Sequence, residues 1–297
     1  MTQKKVVIVT GGNRGLGAET ARQLAEQGHQ VIITARKRAE GEESAAAICA
    51  KVPAAQVEVA ELDLAALGSV RRFAQEFLAR QLPLHVLINN AGYYNMDGER
   101  QLTAEGCEKH FGTNHLGHFL LTMLLMEKLQ QSAPARVVVL TSGLHAGGMG
   151  APPAQVRFDD LKWERGYKAR AAYAMSKLCN LLFTYELNRR YAAHGVIANA
   201  ASPMVVPETL ALTSKGIERL FMKYVMPHLP MARTAAQAAA NTVFVALDPA
   251  LEKDGGKYFE DLRPIKSSPF SYDETVAKRL WDVSLQLTGL SADAGKI

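Results

Sequence analysis

The octapeptide Thr10-Gly11-Gly12-Asn13-Arg14-Gly15-Leu16-Gly17 restricts this chain more than any other segment. It follows Val6-Val7-Ile8-Val9, a β-branched run that reads as a buried strand. It precedes Ala18 to Gln27, where Ala21, Leu24 and Ala25 recur at helical spacing before a stop at Gly28. In that setting glycines allow a tight turn and a close backbone approach to a pyrophosphate, which the helix N-terminus attracts. The spacing is G-x-x-x-G-x-G, not the common G-x-G-x-x-G.

Strand and helix patterns alternate beyond the turn. Strands are expected at Gln30–Thr34, Gln56–Glu61, His85–Asn89, Arg136–Thr141, Val196–Ala200 and Lys257–Glu260. Helices are expected at Ala39–Lys51, Leu67–Arg80, Thr103–Gln131, Tyr167–Ala193, Glu208–Val225 and Ala235–Leu247. Such repeats imply an α/β fold: a doubly wound parallel sheet of Rossmann type, with right-handed crossovers and helices on both faces. No linker or composition shift divides the 297 residues, so 1–297 reads as a single domain. Leu116–Leu129 is apolar nearly all round, which places it either in the core or against another subunit.

Tyr173-Ala-Met-Ser-Lys177 carries a second signal. Four residues apart on a helix, Tyr173 and Lys177 share one face. A phenol normally holds its proton to a pKa of about 10. A neighbouring ammonium favours the phenolate, which makes the pair a candidate acid/base near neutral pH.

Composition excludes several classes. A net charge of +5 with no basic block interleaved with aromatics gives no nucleic-acid footprint. The longest strongly apolar stretch, Phe119–Met126, is too short to cross a bilayer, and the N-terminus runs into a strand without a signal-peptide pattern. Cys49, Cys107 and Cys179 are odd in number and widely spaced, which suggests free thiols in a reducing, cytoplasmic setting. His110, His115 and His118 lie in an otherwise apolar region with no matching acid or Cys cluster, so they read as structural and no metal site is expected.

With both motifs placed, the chain resembles the short-chain dehydrogenase/reductase family over nearly its whole length. The matching strings are the glycine octapeptide, Leu62-Asp63-Leu64, Asn89-Asn90-Ala91-Gly92, Asn114, Ser142 and Tyr173-x-x-x-Lys177. Tyr173 to Leu187 and Gly256-Lys-Tyr-Phe259 are most similar to the retinol-dehydrogenase branch. The resemblance implies a catalytic set of Asn114, Ser142, Tyr173 and Lys177. Tyr173 would protonate a carbonyl oxygen or deprotonate an alcohol. Lys177 would lower its pKa and hold the nicotinamide ribose. Ser142 would stabilise charge on the substrate oxygen, and Asn114 would anchor a water that relays protons to Lys177.

The resemblance also implies cofactor contacts from Gly11, Asn13, Arg14, Gly15, Leu16 and Gly17 in the turn. Asp63 and Leu64 would lie near the adenine, with Asn90, Ala91 and Gly92 along the cleft. Ala201-Ser202-Pro203-Met204-Val205 departs from the family pattern, because Met204 stands where a glycine is usual. Pro203, Val205 and Thr209 remain the candidates there, Thr209 for the nicotinamide carboxamide. The second strand ends in Arg36-Lys37-Arg38 with no carboxylate for a ribose 2′-hydroxyl. Arg36 and Arg14 suit a 2′-phosphate, so the expected cofactor is NADP(H).

The substrate region is expected at about 204–230, with Gly143–Tyr167. Leu210, Leu212, Leu220, Phe221, Met222 and Met226 suit an apolar carbonyl or alcohol, but equally an amphipathic helix packed on its own domain. A homodimer or homotetramer is compatible with the family. Two alternatives stay open: a non-catalytic NADP(H) sensor or scaffold, and a non-standard reaction such as epimerisation, dehydration or enoyl reduction.

Overall fold

Val6–Val9 forms β1, whose four residues are all buried. The computed structural model describes residues 4–96, 98–148, 151–211, 216–229 and 231–291, without the side chains of 216–218. In chain order the elements after β1 are α1 (Gly15–Glu26), β2 (Gln30–Ala35), α2 (Arg38–Lys51), β3 (Gln56–Glu61), α3 (Leu67–Ala79) and β4 (Val86–Asn89). A widened π-helical turn over Phe111–Leu116 leads into α4 (Gly117–Leu124), α5 (Met126–Gln131), β5 (Ala135–Leu140), α6 (Ala169–Tyr191) and β6 (Val196–Ala201). The chain continues through α7 (Pro207–Ala211), α8 (Gly216–Tyr224), α9 (Ala235–Leu247), β7 (Tyr258–Glu260), β8 (Arg263–Ile265) and α10 (Glu274–Thr288).

The strands form one sheet in the order β3-β2-β1-β4-β5-β6-β7-β8, parallel except for β8. Strand side chains alternate between two cores, as a period of two requires. Val6, Ile8, Ile32, Leu87, Val137 and Val139 face Phe73, Phe119, Phe183 and Trp281 on the side of α3, α4, α6 and α10. Val7, Val9, Val31, Ile33, Ile88 and Val138 face Leu24, Ile48 and Val243 on the side of α1, α2 and α9. Phe119 is fully buried, with its ring 5.4 Å from Phe183 and 5.1 Å from Trp281. Burying a side chain of that size contributes about 2–3 kcal/mol. Thus the chain's own core covers the apolar helix around residues 116–129, with Leu116, Leu120, Leu121, Leu125 and Leu129 at 1% exposure or less.

Strand order reverses between β1 and β4, which opens a crevice at their carboxyl ends. Three features differ from the expectations. The helix expected from Thr103 begins only near His110, because Gly106 turns the chain at φ +75 and Leu102 bridges Glu108. The expected helix 208–225 is two helices, α7 and α8; Leu212, between them, and Pro230 lie outside the described residues. Two elements were not expected, β8 and α10. β8 pairs with β7 through a turn at Asp261 (φ 49) and Leu262 (φ 63), which lacks the usual glycine. In α10, Asp273 caps the Val276 amide at 3.0 Å and Gly289 ends the helix at φ 66.

Candidate active site

The glycine turn sits at the end of β1, at the strand-order reversal. Gly11 holds φ +65, open to glycine at little cost. A Cβ on Gly17 would lie 2.2 Å from the Gly11 carbonyl oxygen and 2.5 Å from Asn90 Nδ2, so only glycine fits. Asn90 braces the turn by donating Nδ2 to the Thr10 carbonyl at 2.7 Å. The Thr10 hydroxyl accepts from the amides of Asn90 and Ala91, both at 2.9 Å. Asn90 and Ala91 therefore hold the turn as well as bordering the cleft. The Leu16 side chain packs into the core, leaving its backbone in the first turn of α1.

The residues fit a dinucleotide. Helix α1 starts with no side-chain cap at Arg14 and no acid in its first turn, so its leading amides suit an anion. Thr209 Oγ1 is buried without a hydrogen-bond partner among the described residues, and a Cβ on Gly15 would lie 2.9 Å from it. This orphaned hydroxyl borders the turn. At the end of β2, Lys37 faces Glu40 at 3.8 Å and Arg38 pairs with Glu42 at 2.9 Å. Arg14 and Arg36 are exposed and have no ion pair among the described residues. Asn13 instead donates to Glu40 at 3.0 Å. Asp63 Oδ1 accepts from the Ala65 amide at 2.9 Å, and the Leu64 carbonyl would lie 2.4 Å from a Cβ on Gly117. Leu64 is thus clasped by the start of α4.

Ser142, Tyr173, Lys177 and Asn114 converge beside this turn. Ser142 follows β5, caps the short helix Gly143–Ala146 by accepting from the Leu144 amide at 3.4 Å, and stands near enough to the Tyr173 phenol to favour its ionised form. Lys177 lies one turn along α6 from Tyr173, with Nζ 5.6 Å from the phenol ring centroid. It donates to the Leu140 carbonyl at 3.2 Å. Asn114 sits inside the π-helical turn, a distortion frequent at functional sites. Its Nδ2 donates to Ser176 Oγ at 3.0 Å and to the Tyr93 carbonyl at 3.1 Å. A Cβ on the exposed Gly92 would lie 3.8 Å from both Asn114 Oδ1 and Lys177 Nζ, so both groups border the same open space.

Burial dominates the electrostatics. It pushes the Lys177 ammonium down to about 8. It also pushes the Tyr173 phenol well above its ordinary value; the Tyr94 phenol adds to this and the Ser142 hydrogen bond opposes it. The net shift of Tyr173 is thus upward, where a lowering was expected from Lys177. The site sets a phenol held above its ordinary range beside a lysine brought down to about 8.

Residues 5–154 match the family described as short chain dehydrogenase. Mus musculus retinol dehydrogenase 12 is 43% identical over 286 residues, 96% of this chain and 87% of that protein. Homo sapiens retinol dehydrogenase 11 is 41% identical over 289 residues, 97% of this chain and 87% of that protein. A crystal structure of an uncharacterized protein from Mycobacterium paratuberculosis has a TM-score of 0.71 at 38% identity, covering 97% of this chain and 94% of that one. The chain belongs to the short-chain dehydrogenase family. Within it, the chain is retinol-dehydrogenase-like.

The loop after β6 holds Met204 at the position where the resemblance implied a glycine. Met204 adopts φ +57, the left-handed backbone that glycine takes most easily. The loop thus keeps a glycine-like path with a side chain attached. Val205 donates to the Met231 carbonyl at 3.3 Å and accepts from the Arg233 amide at 2.8 Å, so its backbone is engaged with the segment after α8. Pro203, half-buried, leads into Met204.

The three histidines are buried. Burial pushes His115 down to about 3 and His118 down to about 4. His118 Nδ1 lies 3.0 Å from the Asn114 carbonyl and Nε2 lies 2.9 Å from the Thr10 hydroxyl, linking the glycine turn to Asn114. His110 contacts the Glu108 carboxylate at 2.8 Å and packs edge-on to Tyr173, with centroids 5.8 Å apart. Tyr94 also packs edge-on to Tyr173, at 5.2 Å. Sequence reading missed these neighbours of Tyr173. Only the position of Tyr94, two residues past the Asn-Asn-Ala-Gly string, signalled one.

Proposed function

We propose that this oxidoreductase is NADP(H)-dependent and moves a hydride between nicotinamide and a lipophilic carbonyl, or the matching primary or secondary alcohol. The observation that carries this reading is the convergence of Ser142, Tyr173 and Lys177 beside an uncapped glycine turn. The bound nicotinamide supplies or accepts the hydride. Tyr173, protonated by virtue of its burial, gives its proton to the carbonyl oxygen. Ser142 donates a hydrogen bond to that oxygen as negative charge builds on it. Lys177 has one proton committed to Leu140 and others free to hold the ribose and restore the Tyr173 proton through the space that Asn114 borders. Arg14 and Arg36, without carboxylate partners among the described residues, favour a 2′-phosphate. Thr209 offers its unpartnered hydroxyl to the carboxamide.

An apolar substrate agrees with the names of the retinol dehydrogenases and with the region 204–230, where Leu220, Phe221 and Tyr224 are exposed. A sensor has no need of a buried lysine held at a cost beside a phenol, so Lys177 speaks for catalysis. No described helix is long and apolar enough to cross a membrane. Three free cysteines favour the cytoplasm, and a homodimer or homotetramer completes the reading. The test is consumption of NADPH and of NADH with a panel of lipophilic aldehydes and ketones. The expected result is turnover with NADPH preferred; equal use of NADH, or no turnover despite NADPH binding, contradicts it.

A further inference from the structure

His145 is buried at 1% exposure, three residues past Ser142. Its Nδ1 lies 2.7 Å from the Ser142 carbonyl oxygen, and its Nε2 accepts from the Ser268 amide at 3.0 Å. A carbonyl only accepts and an amide N–H only donates. The two neighbours therefore dictate a single neutral tautomer, with the proton on Nδ1. The ring packs edge-on to Tyr258 at 5.4 Å, and the His145 carbonyl accepts from the Ala154 amide at 3.0 Å. The segment at the far end of this bridge is itself bolted to α6. Ser267 Oγ lies 2.7 Å from Tyr185 Oη, and Tyr272 stacks on Tyr185 at 5.3 Å. Helix α6 also carries Tyr173 and Lys177. His145 thus closes a second path between the Ser142 turn and the helix of the acid/base pair.

We infer that His145 is a positioning residue for the reaction: its Nδ1–H fixes the Ser142 carbonyl, and with it the direction of the Ser142 hydroxyl. This rests on the carbonyl-reduction reading above. Burial lowers the His145 pKa, consistent with a ring that stays neutral. The His145 backbone amide also donates to the Ser142 carbonyl, at 3.1 Å, and the Leu144 amide reaches the hydroxyl only at 3.4 Å; the ring is what ties this turn to Ser268.

The experiment is a set of single and double variants assayed with NADPH and a saturating carbonyl substrate. His145→Leu should lower kcat by about 10- to 100-fold, as small misplacements of a reacting group do, with KM and NADPH binding unchanged. His145→Asn, which keeps a donor near the Nδ1 position, should restore most of that rate. In a Ser142→Ala background, His145→Leu should cost nothing further, because it acts through Ser142. A second full loss in that background, or Asn and Leu variants that are equally slow, overturns the inference in favour of a purely structural histidine. A wild-type protein without Tyr173-dependent turnover would instead sink the functional reading. In that event, and if the variants fail to fold, ring 15N spectra of the wild-type protein decide. A ring protonated only on Nδ1 supports the bridge, and protonation on Nε2 or a mixture of tautomers overturns it.

Discussion

Lys177 is the costliest residue of the site, and the cost can be read out. Its side chain is 4% exposed, and burial lowers its pKa from the ordinary 10.5 to about 8. A folded-state value below the unfolded one means that the buried ammonium opposes folding. The penalty is full below pH 8, shrinks between about 8 and 10.5 as the folded state loses its proton first, and vanishes above. At about 1.4 kcal/mol per pH unit, that difference amounts to about 3 kcal/mol at pH 7. Lys177→Met should remove the penalty. It orphans nothing, because the Leu140 carbonyl still accepts from Asn180 Nδ2 at 2.9 Å. Imperfect packing of the methionine offsets part of the gain, so the variant should be about 1–3 kcal/mol more stable than wild type at pH 7. Urea denaturation of the cofactor-free protein at pH 7 and pH 9 measures this. Wild type should gain about 1 kcal/mol relative to the variant over that interval, the shifted Lys5, Cys107 and Cys179 acting equally in both, and turnover should be abolished in the variant. His29, His85, His115, His118 and His145 are all shifted down by burial, so they titrate below the interval and do not confuse it. A variant less stable than wild type at pH 7, or a stability difference between the two that does not shrink towards pH 9, refutes the reasoning.

Arg36→Asp should weaken NADPH binding by about 10- to 100-fold, the worth of one charge-assisted contact, and favour NADH; cofactor titration checks this, and an unchanged preference counts against the 2′-phosphate assignment. Thr209→Val should leave the cofactor-free protein equally or up to about 1 kcal/mol more stable, since Oγ1 is buried without a partner among the described residues, while raising KM for the cofactor. Thermal melts and kinetics together test it, and a destabilised variant with unchanged KM would show a structural threonine. The rate of carbonyl reduction should fall as pH rises through about 8, where Lys177 loses its proton and Tyr173 remains protonated. The rate of alcohol oxidation should instead rise across that range, and a reduction limb centred below pH 7 would contradict the assignment.

Much of the fold was legible because its signals are local. The β-branched strands, the glycine turn and the helix stop at Gly28 each announce themselves within a few residues. β8 was not legible, because Asp261 and Leu262 turn the chain without glycine. Helix α10 did carry its cap at Asp273 and its stop at Gly289, with buried Ala277, Leu280, Trp281 and Leu285 at helical spacing, and was overlooked. Within the site, motif and order singled out Ser142, Tyr173 and Lys177, and the fold brings the three together. The sign of the Tyr173 shift was not. Spacing shows that Lys177 is close, but only packing shows that burial raises the Tyr173 phenol. Met204 teaches the same lesson: the missing glycine was visible, whereas the left-handed path that the chain keeps without it was not. His145, His118 and the Glu108–His110 pair act through partners distant in sequence, at Ser268, Thr10 and Tyr173. No local pattern encodes such contacts.

The central claim is that hydride reaches a carbonyl carbon with Tyr173 handling the proton. Incubation of the wild-type protein and Tyr173→Phe with NADPH deuterated at the nicotinamide C4 and a lipophilic aldehyde tests it directly. The expected result is deuterium on the carbinol carbon of the product with the wild-type protein, and a loss of at least about 100-fold in rate with the variant, which should still bind NADPH. Deuterium transfer at the wild-type rate by Tyr173→Phe would contradict the account, as would a wild-type protein that binds NADPH tightly and labels no carbonyl substrate.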